Sequence, residues 1–150
     1  MLLEVIAAVQ QVWPKDKALF VRISSTDWTE GGWTAEDSVK LAAVLKEKGV
    51  DLIDCSTGGN VPHAHIPVKP GYQVEFAEQI KRETGILTGA VGLITDPQQA
   101  DKIIEDGQAD VVLLARELLR DPHFPLRAAH QLGHEVEWPV QYERAKWRKS

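Results

Sequence analysis

LFVRIS, residues 19–24, is the first of four apolar stretches that decide the fold of this chain. The other three are DLIDCST at 51–57, ILTGAVG at 86–92 and ADVVLLA at 109–115. Each of the first three leads into a helical pattern, and the fourth leads into Arg116–Arg120. Near-continuous apolar runs are typical of parallel strands that are buried on both faces. The repeat therefore predicts about four βα units, half of the eight that close a (β/α)₈ barrel of roughly 250 residues.

The segments between these strands carry signals for the start and end of helices. Leu2–Val12 has a helical apolar face and is followed by Pro14, which stops it. Thr34 and Asp37 have the spacing of a capping box for a helix that ends at Gly49. Further helices are predicted over Tyr72–Glu83, from Asp96-Pro97 to Gly107, and from Asp121-Pro122 to about Leu132, and the remainder is expected to be irregular.

Composition places the chain among soluble globular proteins. It has 150 residues, of which 43% are hydrophobic and 26% are charged, so we predict one domain over residues 1–150. The net charge of −5 argues against a nucleic-acid partner. We expect no membrane partner, because no run reaches the roughly 18 apolar residues that a spanning helix needs. The start lacks the pattern of a signal peptide, so the cytoplasm is the expected compartment.

Functional residues of such a barrel lie where its strands end. The third and fourth ends, with Gly89, Gly92 and Arg116, predict a phosphate site, because glycine lets the backbone approach an anion and arginine binds it bidentately. Alternatively, these glycines only pack against a helix, and Arg116 pairs with Glu117 or Asp121. Spacing alone leaves both interpretations open.

Arg22 lies at the inward end of an apolar strand, where we expect it to be buried and to require a partner. That partner is either Asp54, in a structural ion pair, or an electron-rich ligand. His63 and His65 stand two residues apart in a loop without an acidic or cysteine companion at fixed spacing, so no metal site is predicted. Cys55 is expected to be an inert thiol in the core.

Six ordered motifs of this sequence resemble the C-terminal half of Old Yellow Enzyme family proteins. The resemblance covers nearly the whole chain and is strongest to the bacterial FMN-dependent NADPH dehydrogenases, the ene-reductase class. It implies an α/β fold, the C-terminal half of a TIM (β/α)₈ barrel with parallel strands, with FMN as the cofactor and NADPH as the hydride donor. The motifs are Phe20–Ser24, Gly49–Gly58, Pro70–Gln73, Thr88–Thr95, Ala115–Pro122 and Pro139–Arg144.

The resemblance also implies roles for individual residues. Arg22 corresponds to the family's arginine beside the N1/O2 edge of the flavin, where a cation stabilises the anionic reduced ring. Gly92, Ala115 and Arg116 correspond to the residues at the FMN phosphate, although the family commonly has glycine where this chain has Ala115. Ser56, at the end of the second strand, completes the predicted cofactor-binding set.

Arg144 corresponds to an arginine that reaches into the active site of a neighbouring subunit. The family's chain usually ends near this point with Gly-Trp, whereas Ala145-Lys146-Trp147 follows here. The family's substrate-binding histidine pair and its proton-donating tyrosine have no counterpart in this chain. No catalytic residue is therefore predicted.

We expect the chain to form part of an FMN-dependent NADPH oxidoreductase that reduces activated C=C bonds of small enones or enals. Activity would need an N-terminal half-barrel or a second copy of the chain, and an oligomer is expected. The alternative is a non-catalytic half-barrel that self-associates and at most binds a phosphate-bearing ligand. A phosphosugar isomerase would share the glycine and arginine end, but not the ordered motifs.

Overall fold

The computed structural model describes residues 1–147, which form a four-stranded parallel sheet with intervening helices. The strands follow one another across the sheet in chain order, and all three pairings are parallel. This confirms the predicted half-barrel of βα units. The strands are β1 Phe20–Ser24, β2 Leu52–Ser56, β3 Leu87–Ala90 and β4 Val111–Val112.

The helices are close to those predicted, but α3 begins at Val74 instead of Tyr72, and α6 begins at Phe124 instead of Asp121-Pro122. They are α1 Leu2–Val12, α2 Ala35–Glu47, α3 Val74–Thr84, α4 Pro97–Glu105, α5 Arg116–Arg120 and α6 Phe124–Gln131. Helix α6 begins after Asp121 because that carboxylate accepts a hydrogen bond from the His123 N–H, which holds a turn ahead of the helix. Val140–Ala145, predicted to be irregular, forms a 3₁₀ helix. Within residues 1–147, no helix is long and apolar enough to cross a membrane.

The predicted capping box at the start of α2 is present. The Thr34 hydroxyl accepts a hydrogen bond from the Asp37 N–H at 3.2 Å, and the Asp37 carboxylate accepts from the Thr34 N–H at 3.3 Å. Each bond satisfies a backbone donor that the first turn of a helix leaves unpaired.

The side chains on the two faces of the sheet differ in how far they are buried. One face, with Val21, Ile53 and Cys55, is buried beneath the helices. The other, which we call the inner face, carries Phe20, Arg22, Leu52, Asp54, Leu87, Gly89 and Val111 in register. Phe20 is 57% exposed there and Leu87 is 51% exposed. The prediction that the strands are buried on both faces is therefore wrong for β1 and β3, whereas it holds for β2, where Leu52 on the inner face is only 2% exposed.

We predict that core substitutions affect the two faces unequally. Ile53→Ala should lower the free energy of unfolding by about 2–5 kcal/mol, because it opens a cavity in a fully buried layer. Phe20→Ala should change it by less than about 1 kcal/mol, because its ring is already hydrated. Urea denaturation followed by circular dichroism measures both. An equally large loss for Phe20→Ala would show that the inner face is covered in solution.

Candidate cofactor-binding site

A cavity of about 240 Å³ lies at the carboxyl ends of the strands. All five residues predicted to bind a cofactor line it: Arg22, Ser56, Gly92, Ala115 and Arg116. Its volume is below the roughly 300–1,000 Å³ of complete ligand pockets, which fits a cleft with an open side. A larger depression of about 380 Å³ between α3 and α4 contains none of the predicted site residues.

The loop after β3 has a backbone that only glycine accommodates at one position. Gly92 has a φ of +129°, which favours glycine, and Leu93 follows with a φ of +50°, which is uncommon for any residue other than glycine. A Cβ at position 92 would lie 2.9 Å from Nε2 of Gln73 and 3.1 Å from the ring of Tyr72. Within residues 1–147, the N–H groups of Gly92 and Leu93 donate no hydrogen bond. They are therefore free to bind an anion.

Gly89 has a different reason to be glycine. A Cβ there would lie 2.8 Å from Cδ1 of Leu113 and 3.2 Å from a methyl group of Val111. Its absence lets side chains on and after β4 pack closely over the inner face. The alternative that Gly89 packs against a helix is therefore wrong, because the closest atoms are side chains on and after β4.

Arg116 pairs with neither Glu117 nor Asp121, and both carboxylates are bound to other arginines. Glu117 accepts from Arg120 at 2.9 Å and from Arg127 at 3.4 Å, and Asp121 accepts from Arg127 at 2.7 Å. Among the residues the structure describes, Arg116 forms no ion pair, and it is exposed at the cavity. Its guanidinium is therefore available to a ligand.

Arg22 contacts both of its neighbours on β2. Its Nη2 donates to the Ser56 hydroxyl at 3.0 Å, while its Nε lies 3.9 Å from a carboxylate oxygen of Asp54. The Arg22 side chain is 64% exposed, so its expected burial was wrong for this chain. The reason is that its side chain lies on the inner face of the sheet, which is only partly covered. A pair this long and this hydrated contributes little to stability.

Asp54 has an environment unlike that of a surface carboxylate. Burial raises its pKa, and the charge of Arg22 opposes that shift only in part. Its Oδ1 atom is buried and has no hydrogen-bond partner among the described residues. On the inner face, an Asp54 oxygen without a described partner therefore lies beside Arg22, which makes one hydrogen bond and one long ion pair.

The remaining candidates lie away from the cavity. Arg144 is exposed in the 3₁₀ helix, so its role at a neighbouring subunit stays a prediction. His63 and His65 are exposed in their loop, and residues 1–147 contain no cluster of three side chains that could bind a metal. Cys55 is fully buried, and burial together with the charge of Asp54 raises its pKa to about 12. Its thiol therefore stays protonated near neutral pH, as expected of an inert core residue.

Thr57, Gln73 and Arg120 also line the cavity, and no role was predicted for them. The only sequence signal for Gln73 was its place in Pro70–Gln73, one of the motifs on which the family resemblance rests. Arg120 adds a third arginine, while the one carboxylate in the lining, Glu117, is already bound by two arginines. The cavity is therefore positively charged, which favours the binding of an anion.

Most of this chain is similar in sequence to known oxidoreductases. The sequence model of the NADH:flavin oxidoreductase / NADH oxidase family matches residues 1–135. An NADPH dehydrogenase of Geobacillus thermodenitrificans (strain NG80-2) is 56% identical over 145 residues, or 97% of this chain and 42% of that protein. An NADPH dehydrogenase of Bacillus subtilis (strain 168) is 52% identical over 141 residues, or 94% of this chain and 41% of that protein. The chain thus spans less than half the length of these relatives.

A solved structure supports the fold. The structure of 2-naphthoyl-CoA reductase superposes with a TM-score of 0.75 and 24% identity, covering 89% of this chain and 21% of that one. The resemblance found in the sequence and the partial-barrel fold are both confirmed. FMN and NADPH, the predicted cofactors, are those that the family and the NADPH dehydrogenase relatives imply.

Proposed function

Because the chain belongs to the NADH:flavin oxidoreductase / NADH oxidase family, we propose that it supplies the phosphate side of an FMN site in an NADPH-dependent oxidoreductase. One observation carries this proposal: the five residues assigned to the cofactor from the sequence all line a single, positively charged cavity. Arg116 and the free N–H groups of Gly92 and Leu93 would hold the phosphate. Ala115, which precedes Arg116, lines the same cavity.

Arg22 and Ser56 would lie beside the flavin ring. Arg22 is exposed at the cavity, and its hydrogen bond to Ser56 restricts its orientation. FMN, when bound, supplies the ring that accepts a hydride from NADPH and passes it to the substrate. A cation beside that ring favours its anionic reduced form, which is the contribution we assign to Arg22.

The proposed substrates are small molecules with an activated C=C bond, such as enones and enals. This finer assignment rests on the resemblance to the ene-reductase class. No residue of this chain is assigned to proton transfer or to the substrate carbonyl. The groups that orient the substrate and stabilise developing charge would have to come from another part of the assembly.

We propose that the missing cover of the inner face and the missing side of the cavity come from the same source. The matched relatives are more than twice as long as the matched segment, so the remaining part of such a protein has enough chain to supply both. A second copy of this chain is the other candidate. Arg144, exposed near the end of the described chain, would then reach a neighbouring subunit in the resulting oligomer.

The test of this function is to mix the chain with the separately produced part of the Geobacillus relative that it does not match. We expect a yellow complex in size-exclusion chromatography with light scattering, and NADPH oxidation when an enone is added. A colourless chain that binds neither flavin nor the complementary part would contradict the proposal. It would favour the non-catalytic half-barrel instead.

Arg116→Ala tests the phosphate assignment. It should weaken FMN binding by about 2–3 kcal/mol, because it removes a charge-assisted contact to the phosphate. Riboflavin, which lacks the phosphate, should bind the variant and the wild type alike. Fluorescence titration of the flavin-binding assembly measures both affinities. Arg82→Ala, which removes an equal charge on α3 outside the cavity lining, is the matched control. FMN affinity unchanged by Arg116→Ala would refute the assignment.

Arg22→Ala tests the ring assignment separately. It should leave FMN affinity nearly unchanged but lower the flavin reduction potential, because the anionic reduced ring loses a nearby cation. A shift of about 30 mV corresponds to about 1.4 kcal/mol for a two-electron couple. Spectroelectrochemical titration, again with Arg82→Ala as the control, measures the potential. A potential equal to that of the wild type would exclude this role for Arg22.

A further inference from the structure

Gln73 is a buried polar residue with both ends of its amide in use. Its side chain lies between the ends of two strands, and the residue is only 3% exposed. Its Oε1 accepts a hydrogen bond from the Thr57 hydroxyl at 2.7 Å, and its Nε2 donates to the Val91 carbonyl at 2.9 Å. The amide therefore joins the segment after β2 to the loop after β3.

A second hydrogen bond joins the residues beside Gln73 to the same loop after β3. The Gly71 N–H donates to the Gly92 carbonyl at 2.8 Å. Residues 71–73 thus hold the two successive carbonyls of Val91 and Gly92. In a planar trans peptide the N–H points opposite to the C=O. The N–H groups of Gly92 and Leu93 are therefore directed away from residues 71–73, and among residues 1–147 both are unpaired donors of cavity-lining residues.

We propose that Gln73, oriented by Thr57, is the positioning residue that sets the loop 91–93 for binding the cofactor phosphate. The inference rests on the proposed function, and it assigns the orientation of the phosphate donors to two side chains instead of to the loop itself. Gln73 acts through the Val91 carbonyl, and Thr57 acts through Gln73. Without Thr57, the buried Oε1 atom would lose its donor, and the amide could rotate away from Val91.

The loop needs such support because its backbone is strained. Leu93 has a positive φ without being glycine, and such a conformation persists only where surrounding contacts enforce it. The packing at Gly92 shows how close the support lies, since a Cβ there would meet the Gln73 amide nitrogen. The strain and the support therefore occur at the same point of the chain.

The structural part of the proposal is tested on the chain without flavin. The exchange rate of the Gly71 amide, measured by NMR, reports whether loop 91–93 stays attached, because its acceptor is the Gly92 carbonyl. Thr57→Val keeps the shape of the side chain but removes the hydroxyl, and we expect exchange to be about tenfold faster. Thr57→Ser retains the hydroxyl and should restore a rate close to that of the wild type. Equal rates in all three proteins would overturn the proposal.

The functional part of the proposal is tested by comparing the affinities for FMN and for riboflavin in the flavin-binding assembly. Thr57→Val and Gln73→Leu should each weaken FMN binding about tenfold while leaving riboflavin affinity unchanged. Gln10→Leu is the matched control, because it removes an amide that bonds the Lys48 carbonyl far from the cavity. An equal loss for both flavins would mean a merely structural role and would overturn the proposal.

The same experiment separates this inference from the proposed function. If the wild type binds FMN no more tightly than riboflavin, the phosphate assignment fails and this inference fails with it. If the wild type prefers FMN and the Thr57→Val and Gln73→Leu variants keep that preference in full, only the role of Gln73 is refuted. If Thr57→Ser recovers the preference that Thr57→Val loses, the hydroxyl of Thr57 is established as the group that orients Gln73.

Discussion

The parallel register of the four strands is the constraint on which the rest of this structure depends. Strands that run in one direction end at one edge, so Arg22 and Arg116 reach the same cavity although most of the chain separates them. Carboxylates secure the opposite edge. Asp51 accepts from the Leu19 N–H at 2.7 Å, and Asp110 accepts from the Thr88 N–H at 2.8 Å. A slip of one residue would exchange the buried face and the inner face, so these bonds protect the site as well as the core.

The incomplete cover of the sheet explains several features that otherwise look unrelated. Phe20 is exposed, Arg22 makes one hydrogen bond and one long ion pair, and one oxygen of Asp54 has no hydrogen-bond partner among residues 1–147. All three belong to the inner face. A covering surface would remove water from the Arg22–Asp54 pair, and a lower local dielectric strengthens the attraction between such charges. The arginine assigned to the flavin ring would thus acquire its final environment only in the complete assembly.

Much of the fold could be predicted from the sequence because its signals are local. The apolar stretches, the Thr34–Asp37 capping box and the order of the βα units each depend on neighbouring residues. The exposure of Arg22 could not be predicted, because it depends on what covers the sheet. The hydrogen bonds of Gln73 could not be predicted either, because they join it to Thr57 and Val91 across a long loop that no periodicity describes.

The availability of Arg116 is likewise a property of the folded chain. Its neighbour Glu117 would compete with a phosphate for that guanidinium if the carboxylate were unpaired. Arg120 and Arg127 bind Glu117 instead, and Arg127 is itself held by Asp121. Arg127 belongs to α6, and its guanidinium also lies 5.0 Å from the centre of the Phe124 ring, where a cation is attracted to the aromatic face. No residue of α6 lines the cavity, yet by pairing with Glu117 this helix leaves Arg116 without an ion-pair partner in the described part of the chain.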